Sequence, residues 1–261
     1  MTILQESPQA PAVKTAACLL CRNPDVKVIH TGTRESPDRP VYKCPRCLLV
    51  FIEPPIADIY TYYREQYRKE HDYSTTQTLS PKERFDMMRL AHEEPADRFK
   101  TFVPTGASVL EIGCSSGYFL EALKTRGYEV YGNEWNPIDA QYVRETVQVP
   151  CDERTLELAY GNKKFTAIAA LQVLEHQPDP LAWLRQVKSR LIGGGYFYFE
   201  VPHAMDSLLT VYGAKGFESL WYRDPHVTYW RRETLAKALG AMGFEAQVSM
   251  RQRYGLANHL N

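Results

Sequence analysis

Two Cys-x-x-Cys pairs, a turn bounded by glycines, an acid some way beyond it and a few isolated histidines carry most of the chemistry legible in this 261-residue chain. The turn is Gly113-Cys114-Ser115-Ser116-Gly117, entered from the apolar run Val109-Leu110-Glu111-Ile112, and Glu134 stands 17 positions past Gly117. Residues 109–112 read as a buried parallel strand. The small residues after them let the backbone turn tightly beside a ligand before a helix starts near Tyr118. A second apolar segment, 128–133, predicts a neighbouring strand that delivers Glu134 to the same crevice, where a carboxylate can accept both hydroxyls of a ribose. The implied ligand is a nucleoside cofactor. A dinucleotide site needs three glycines, for the turn, the pyrophosphate and the helix contact. Here there are two, with no basic residue to meet a diphosphate, so a cofactor without phosphates is expected.

The second chemical signal is Cys18-Leu19-Leu20-Cys21 with Cys44-Pro45-Arg46-Cys47. Cysteines three apart in a tight turn can aim both thiolates at one ion, and two such turns complete a tetrahedral Zn(Cys)₄ site. The other readings are two disulfides or unrelated buried thiols, and a reducing compartment argues against the former. Four thiolates leave no open coordination position, so such a zinc holds a fold rather than activating water. A module of this size cannot stabilise itself without help of that kind. Residues 26–29 and 41–43 are expected to be ribbon strands, with 48–52 docking the module on a larger domain.

The run Val109-Leu110-Glu111-Ile112-Gly113-Cys114-Ser115-Ser116-Gly117 resembles the first motif of the class I S-adenosylmethionine-dependent methyltransferases, with Ser115 in place of the middle glycine. That serine is expected to take a backbone angle comfortable for a residue with a Cβ. Phe165-Thr166-Ala167-Ile168 and Val173-Leu174-Glu175-His176-Gln177-Pro178-Asp179-Pro180 are similar to a later signature of one branch of these enzymes. Together with the cysteine module and Tyr60, Tyr62, Tyr63 and Tyr67, the pattern resembles methyltransferases of surface-polysaccharide and secondary-metabolite biosynthesis over most of residues 18–251. The resemblance implies an α/β fold with a Rossmann-like, mostly parallel sheet. It also implies that the turn meets the methionine part of S-adenosyl-L-methionine, with Glu111, Gly113, Cys114, Gly117 and Tyr118 around the cofactor and Glu134 on its ribose.

Further site residues follow from position. Trp135 either faces adenine or is buried between helices. Asp152, past an expected strand at 148–150, is a candidate for the adenine amino group, and Gln172 meets the cofactor from the fourth strand. Methyl transfer to an alcohol benefits from a nearby base. His176, at the carboxyl edge where parallel sheets place ligands, and His226, in a segment resembling the family's His-x-x-(Tyr/Phe)-(Phe/Trp), are the candidates. Ordering hydrogen bonds or capping are their structural alternatives. Tyr63, Tyr67, His203 and Tyr229 are expected to bind the acceptor, although paired tyrosines also seal domain interfaces.

The implied organisation is a flexible tail at 1–17, a zinc ribbon at 18–52, a helical linker or lid at 53–100 and a cofactor-binding catalytic domain at 101–261. A single helix over 82–100 is expected to kink at Pro95. A helix at 181–191 should be stopped by Gly193-Gly194-Gly195, and a fifth strand should run over 196–201. A helix over 234–242 should end at Gly243, followed by a sixth strand at 244–250. The seventh strand of the fold has no counterpart in 251–261, so the chain is either truncated or its sheet ends early.

With 44% hydrophobic and 24% charged residues the chain can bury one large core and a small module. Thirty-one basic residues match thirty-one acidic ones, which supplies no broad attraction for nucleic acid or an anionic membrane. No apolar run is long enough to span a bilayer, the first fourteen residues lack a signal peptide's apolar centre, and a cytoplasmic address is expected. The expected activity is methylation of a hydroxyl or carboxylate on a small metabolite or saccharide. A non-catalytic cofactor-sensing ribbon protein and an RNA or protein methyltransferase are the rival readings. Oligomeric state is not legible.

Overall fold

In the computed structural model, which describes residues 16–71, 79–213 and 215–251, the chain builds two sheets. The larger has five strands, all parallel, in the order β6-β5-β4-β7-β8. These are β4 (Ser108–Ile112), β5 (Glu129–Asn133), β6 (Cys151–Asp152), β7 (Phe165–Leu171) and β8 (Leu191–Glu200). The smaller is antiparallel, in the order β1-β2-β3-β9, from β1 (Lys27–Thr31), β2 (Pro40–Lys43), β3 (Val50–Phe51) and β9 (Thr228–Tyr229).

The central strands are apolar on both faces because each face is covered. Leu110, Ile112, Ile168 and Ala170 pack into one buried cluster with Trp183, Leu184 and Leu235, while Val109, Ala167 and Ala169 pack into another with Phe99, Phe119 and Leu120. This is the period-two alternation of a strand buried on both sides. The covering helices are α4 (Glu93–Phe102), α5 (Tyr118–Thr125), α6 (Pro137–Tyr142), α7 (Pro180–Ser189) and α10 (Arg232–Ala241). Their starts are written locally. Asn136 Oδ1 accepts from the backbone N–H groups of Ile138 and Asp139, Asp179 caps α7, and both helices begin with proline.

Ahead of this domain lie α1 (Ile59–Glu65), α2 (Tyr67–His71) and α3 (Pro81–Met88). Two short helices, α8 (Ser207–Thr210) and α9 (Lys215–Trp221), follow β8. The small sheet is not self-contained. Its fourth strand, β9, comes from beyond residue 200 and pairs Val50 with Tyr229 and Phe51 with Thr228. Thr234 Oγ1 of α10 donates to the Cys47 carbonyl at 2.6 Å, and Cys18, Cys44, Leu49 and Phe51 share one core cluster with the large sheet.

Several sequence expectations change. The expected helix over 82–100 is two helices joined by a 3-10 turn at Leu90–His92, and Pro95 lies in the first turn of α4, where a missing N–H costs nothing. The glycines at 193–195 do not stop α7, which ends at Ser189; they sit in an irregular stretch of β8 between the Phe165–Leu191 and Ala167–Tyr196 pairs. The third strand of the chain's parallel sheet is at Cys151–Asp152 rather than 148–150, because Gln148 turns left-handed at φ +56°. Residues 244–250 form no strand, so β8 is the last strand of the sheet among the described residues. The tail before residue 16 and the segment after 251 lie outside the described residues. None of the described helices is long and apolar enough to cross a membrane.

Candidate active site

The turn after β4 is held from the inside by the acid after β5. Glu134 is buried, and its Oε2 accepts from Ser115 N and its Oε1 from Asn136 N, each at 2.8 Å. Each oxygen retains lone-pair capacity toward the cavity. Burial pushes this carboxyl above its ordinary value of 4.5, against the opposing pull of Arg68. Gly113 is left-handed at φ +69°, and a Cβ there would lie 2.8 Å from Val173 Cγ2. Ser115 does not take the comfortable angle expected of it: it is left-handed at φ +49°. That conformation disfavours a residue with a Cβ, and it persists because both ends of the serine are tied, N–H to Glu134 and Oγ to Arg68 at 2.7 Å.

Arg68 is the functional candidate that the motif search missed. It comes from α2 and also donates from Nε to Asp139 at 2.9 Å, while Arg84 donates to the other Asp139 oxygen at 2.6 Å and Ser116 Oγ joins at 3.0 Å. The only sequence signal was its place directly after Tyr67 in the tyrosine-rich segment.

Arg68, Ser115 and Glu134 open on a cavity of about 2750 Å³. Of the expected site residues, Glu111, Gly113, Tyr118, Glu134, Trp135 and Gln172 stand on its wall, as do Tyr63, Tyr67, His176, His203, His226 and Tyr229. Cys114, Gly117 and Asp152 do not. Cys114 points behind the turn, 3.8 Å from Cys151 Sγ. Gly117, at φ +80°, makes room for Val143, whose Cγ2 would lie 3.0 Å from an added Cβ. Asp152 is engaged by Arg154 and by Tyr160 N, and Arg154 holds its carboxyl down at about 2. Glu111 is fully buried with Oε2 unpartnered, and burial pushes its carboxyl well above the ordinary range.

The opposite wall is assembled from three distant segments. The Tyr63 hydroxyl of α1 and His176 Nδ1 are 2.6 Å apart, and the same nitrogen lies 2.7 Å from the Pro225 carbonyl. A carbonyl can only accept, so Nδ1 carries the hydrogen, and Nε2 lies 4.0 Å from Glu175 Oε1. The His226 ring packs on His176 with centroids 4.8 Å apart, and Tyr63 and Tyr67 face each other at 4.5 Å across the break between α1 and α2. Gln172, where β7 exits, is left-handed at φ +57° and donates its N–H to the Glu200 carbonyl at 2.9 Å. Such strain recurs at functional sites.

The loop that carries Pro225 and His226 is gripped by the cysteine module. Asp224 accepts from Thr33 Oγ1, from Ser36 Oγ at 2.6 Å and from Arg39 Nε at 2.9 Å, and its own N–H donates to Glu35 at 2.9 Å. Arg34 N donates to the Tyr222 carbonyl at 2.7 Å, and Ile52 N to Val227 O at 3.1 Å. Tyr229, expected to touch the acceptor, is fully buried and mainly braces this loop; its hydroxyl accepts from Arg223 N at 2.9 Å and donates to Trp221 O at 3.2 Å.

The four module cysteines converge. Their sulfurs all lie within 4.8 Å of one another, with Cys18–Cys47 at 3.4 Å and Cys21–Cys44 at 3.5 Å. Tetrahedral zinc with bonds of about 2.3 Å requires sulfurs about 3.8 Å apart, so the set fits. The Cys47 thiol, donating to Cys18, draws that thiol down to about 5 and is itself pushed up.

Residues 87–248 match the family described as a methyltransferase domain. The chain belongs to that family. Its fold is that of the class I S-adenosylmethionine-dependent methyltransferases, with the glycine turn and its acid at the carboxyl edge of the parallel sheet. Among curated relatives it is 28% identical over 166 residues to a ubiquinone biosynthesis O-methyltransferase of Alkalilimnicola ehrlichii, covering 60% of this chain and 66% of that one. It is 30% identical over 130 residues to the enzyme of the same name from Xanthomonas campestris pv. campestris, covering 46% and 54%. The chain thus spans between about half and two-thirds of the length of these relatives. Among solved structures it is similar to the plantazolicin methyltransferase BpumL in complex with SAH, with 14% identity, a TM-score of 0.49 and coverage of 65% and 71%.

Proposed function

We propose that the protein transfers the methyl group of S-adenosylmethionine to a hydroxyl or carboxylate of a small metabolite or saccharide. The observation that carries this reading is the presence on one cavity of the Glu134-braced turn and the Tyr63–His176 pair, whose imidazole the Pro225 carbonyl orients from behind. The residues present suit the cofactor. Glu134 keeps acceptor capacity for two ribose hydroxyls, Glu111 Oε2 and Trp135 Nε1 are buried without partners beside it, and Arg68 offers a guanidinium to a carboxylate of the methionine part. When bound, S-adenosylmethionine supplies a methyl group already activated on a sulfonium.

The chain's own part is alignment and proton handling. Tyr63 and Tyr67 wall off water beside the acceptor, and Tyr63 stays a neutral phenol because burial raises it well above 10. His176, oriented through Nδ1, can take the acceptor's proton at Nε2, where Glu175 would steady the charge that forms. His226 packs on the imidazole and completes the wall, His203 belongs to the acceptor side, and Tyr229 supports that side from behind by bracing the 223–230 loop. The four cysteines hold a structural Zn²⁺ that makes the ribbon a rigid clamp on the 223–230 loop.

Calorimetric titration of the purified protein with S-adenosylmethionine and, separately, with NAD tests the reading. Micromolar binding of the former with no binding of the latter is expected. Tight NAD binding without methyl-donor binding overturns it.

A further inference from the structure

Three residues that line the cavity each carry a buried nitrogen with no hydrogen-bond partner among the described residues: Arg231 Nε, His203 Nδ1 and Trp221 Nε1. They arrive from separate places. His203 follows β8, Trp221 ends α9 and Arg231 follows β9. A parallel bridge between His203 and Trp230, with Ala204 N donating to Trp230 O at 2.9 Å, sets His203 and Arg231 on adjoining backbones. The contact that Arg231 does make is from Nη2 to Met205 Sδ at 2.7 Å, a thioether and a weak acceptor. Asp206, three residues past His203, already accepts from Leu208 N at 2.8 Å to start α8.

A buried donor left without an acceptor is destabilising, because it has lost its hydrogen bond to water and gained none in return. Three on one wall are explained if a ligand brings the acceptors. The chemistry of that ligand follows from the donors. A guanidinium and an indole N–H can only donate, and the guanidinium is a permanent cation, so the complement is a group with several anionic oxygens. The location separates this from the cofactor. Glu134 follows β5 and His203 follows β8, with β4 and β7 between them. Three interstrand steps of about 4.8 Å place the two roughly 14 Å apart along the carboxyl edge.

We infer that Arg231, His203 and Trp221 form an anion subsite that takes a phosphate or carboxylate group of the methyl acceptor. The acceptor is then a molecule with its methylated oxygen near His176 and an anionic group further along the sheet edge. Naming the acceptor as the occupant rests on the methyltransferase reading; the subsite itself does not.

The test follows the ¹⁵N–¹H side-chain resonances of Arg231 Nε and Trp221 Nε1 while the full chain is titrated with inorganic phosphate, with acetate, and with chloride at matched ionic strength. Saturable shifts of both resonances with phosphate or acetate, and none with chloride, are expected. Tighter phosphate binding assigns a phosphoryl group, and tighter acetate binding a carboxylate. Arg231→Gln should weaken the preferred anion at least tenfold and Trp221→Phe about threefold, with S-adenosylmethionine affinity unchanged in both. His203→Asn gives the same comparison should the arginine variant lose its fold. Absence of saturation by either anion, equal shifts with chloride, or wild-type anion affinity in the variants overturns the subsite. Loss of S-adenosylmethionine binding by the wild type would overturn the methyltransferase reading instead, and leaves the anion titration to be judged separately.

Discussion

The two walls of the cavity are built in opposite ways. The cofactor wall is nearly continuous in sequence: a strand, a turn and an acid two elements later, joined by hydrogen bonds from Glu134 to Ser115 N and Asn136 N. The acceptor wall is assembled from α1 and α2, the exit of β7 and the 223–230 loop, and that loop is fixed by a module at the other end of the chain through Asp224 and β9. The first wall is local and self-bracing. The second depends on tertiary contacts that can be cut one at a time, so each can be perturbed without the other.

The largest expected effect is on the cofactor wall. Glu134→Ala removes two charge-assisted hydrogen bonds and the proposed ribose acceptor together, and should weaken S-adenosylmethionine by about 100-fold or more by calorimetry. The same carboxylate gives that wall a pH signature. Burial raises its folded value above 4.5, and binding favours the ionised form. Affinity should therefore be full well above that value and fall as pH drops through a midpoint above 4.5, approaching tenfold per pH unit below it. A midpoint below 4.5 would mean that Glu134 is not the group responsible.

Cys44→Ser should act on the other wall. One zinc per chain by metal analysis is expected in the wild type and less than half of that in the variant, with faster amide exchange over 222–230. Unchanged exchange there would separate the module from the loop. Asp224→Ala is milder, since it removes the clamp while leaving the cysteines. A loss of about 2 kcal/mol, seen as a melting temperature lower by roughly 5 °C, should accompany unaltered S-adenosylmethionine affinity. Loss of cofactor binding here would show that the two walls are not independent.

The smallest effect expected is that of Ser115→Gly. Glycine relieves the left-handed strain at φ +49° but gives up the bond to Arg68. These terms oppose, and the cofactor affinity should change by less than about threefold. A tenfold loss would make the Arg68–Ser115 bond a principal support of the turn.

Legibility followed the same divide. The glycine turn, Glu134 and the four cysteines were readable because each is a short-range rule, in which residue types at fixed spacing meet a backbone or metal requirement. The long helix placed over 82–100, the strand at 244–250 and the angle of Ser115 were misread because each depends on what packs against it. Asp152 illustrates the limit. Its position past the expected strand at 148–150 suggested a ligand contact, but Arg154, two residues on, engages it first.

The sequence by itself determined that a parallel sheet would present a tight turn and an acid on one edge, and that four thiolates would gather, because these follow from bonding distances within a few residues. The tertiary structure alone decided that Arg68 enters the cofactor crevice, that the Pro225 carbonyl sets the His176 tautomer, and that an amino-terminal module holds a distant loop, with Asp224 bonded to Thr33, 191 positions before it, and to Ser36, 188 before it. Such contacts form only where the burial of separate apolar faces has already brought distant segments together, and residue spacing along the chain carries no record of that meeting.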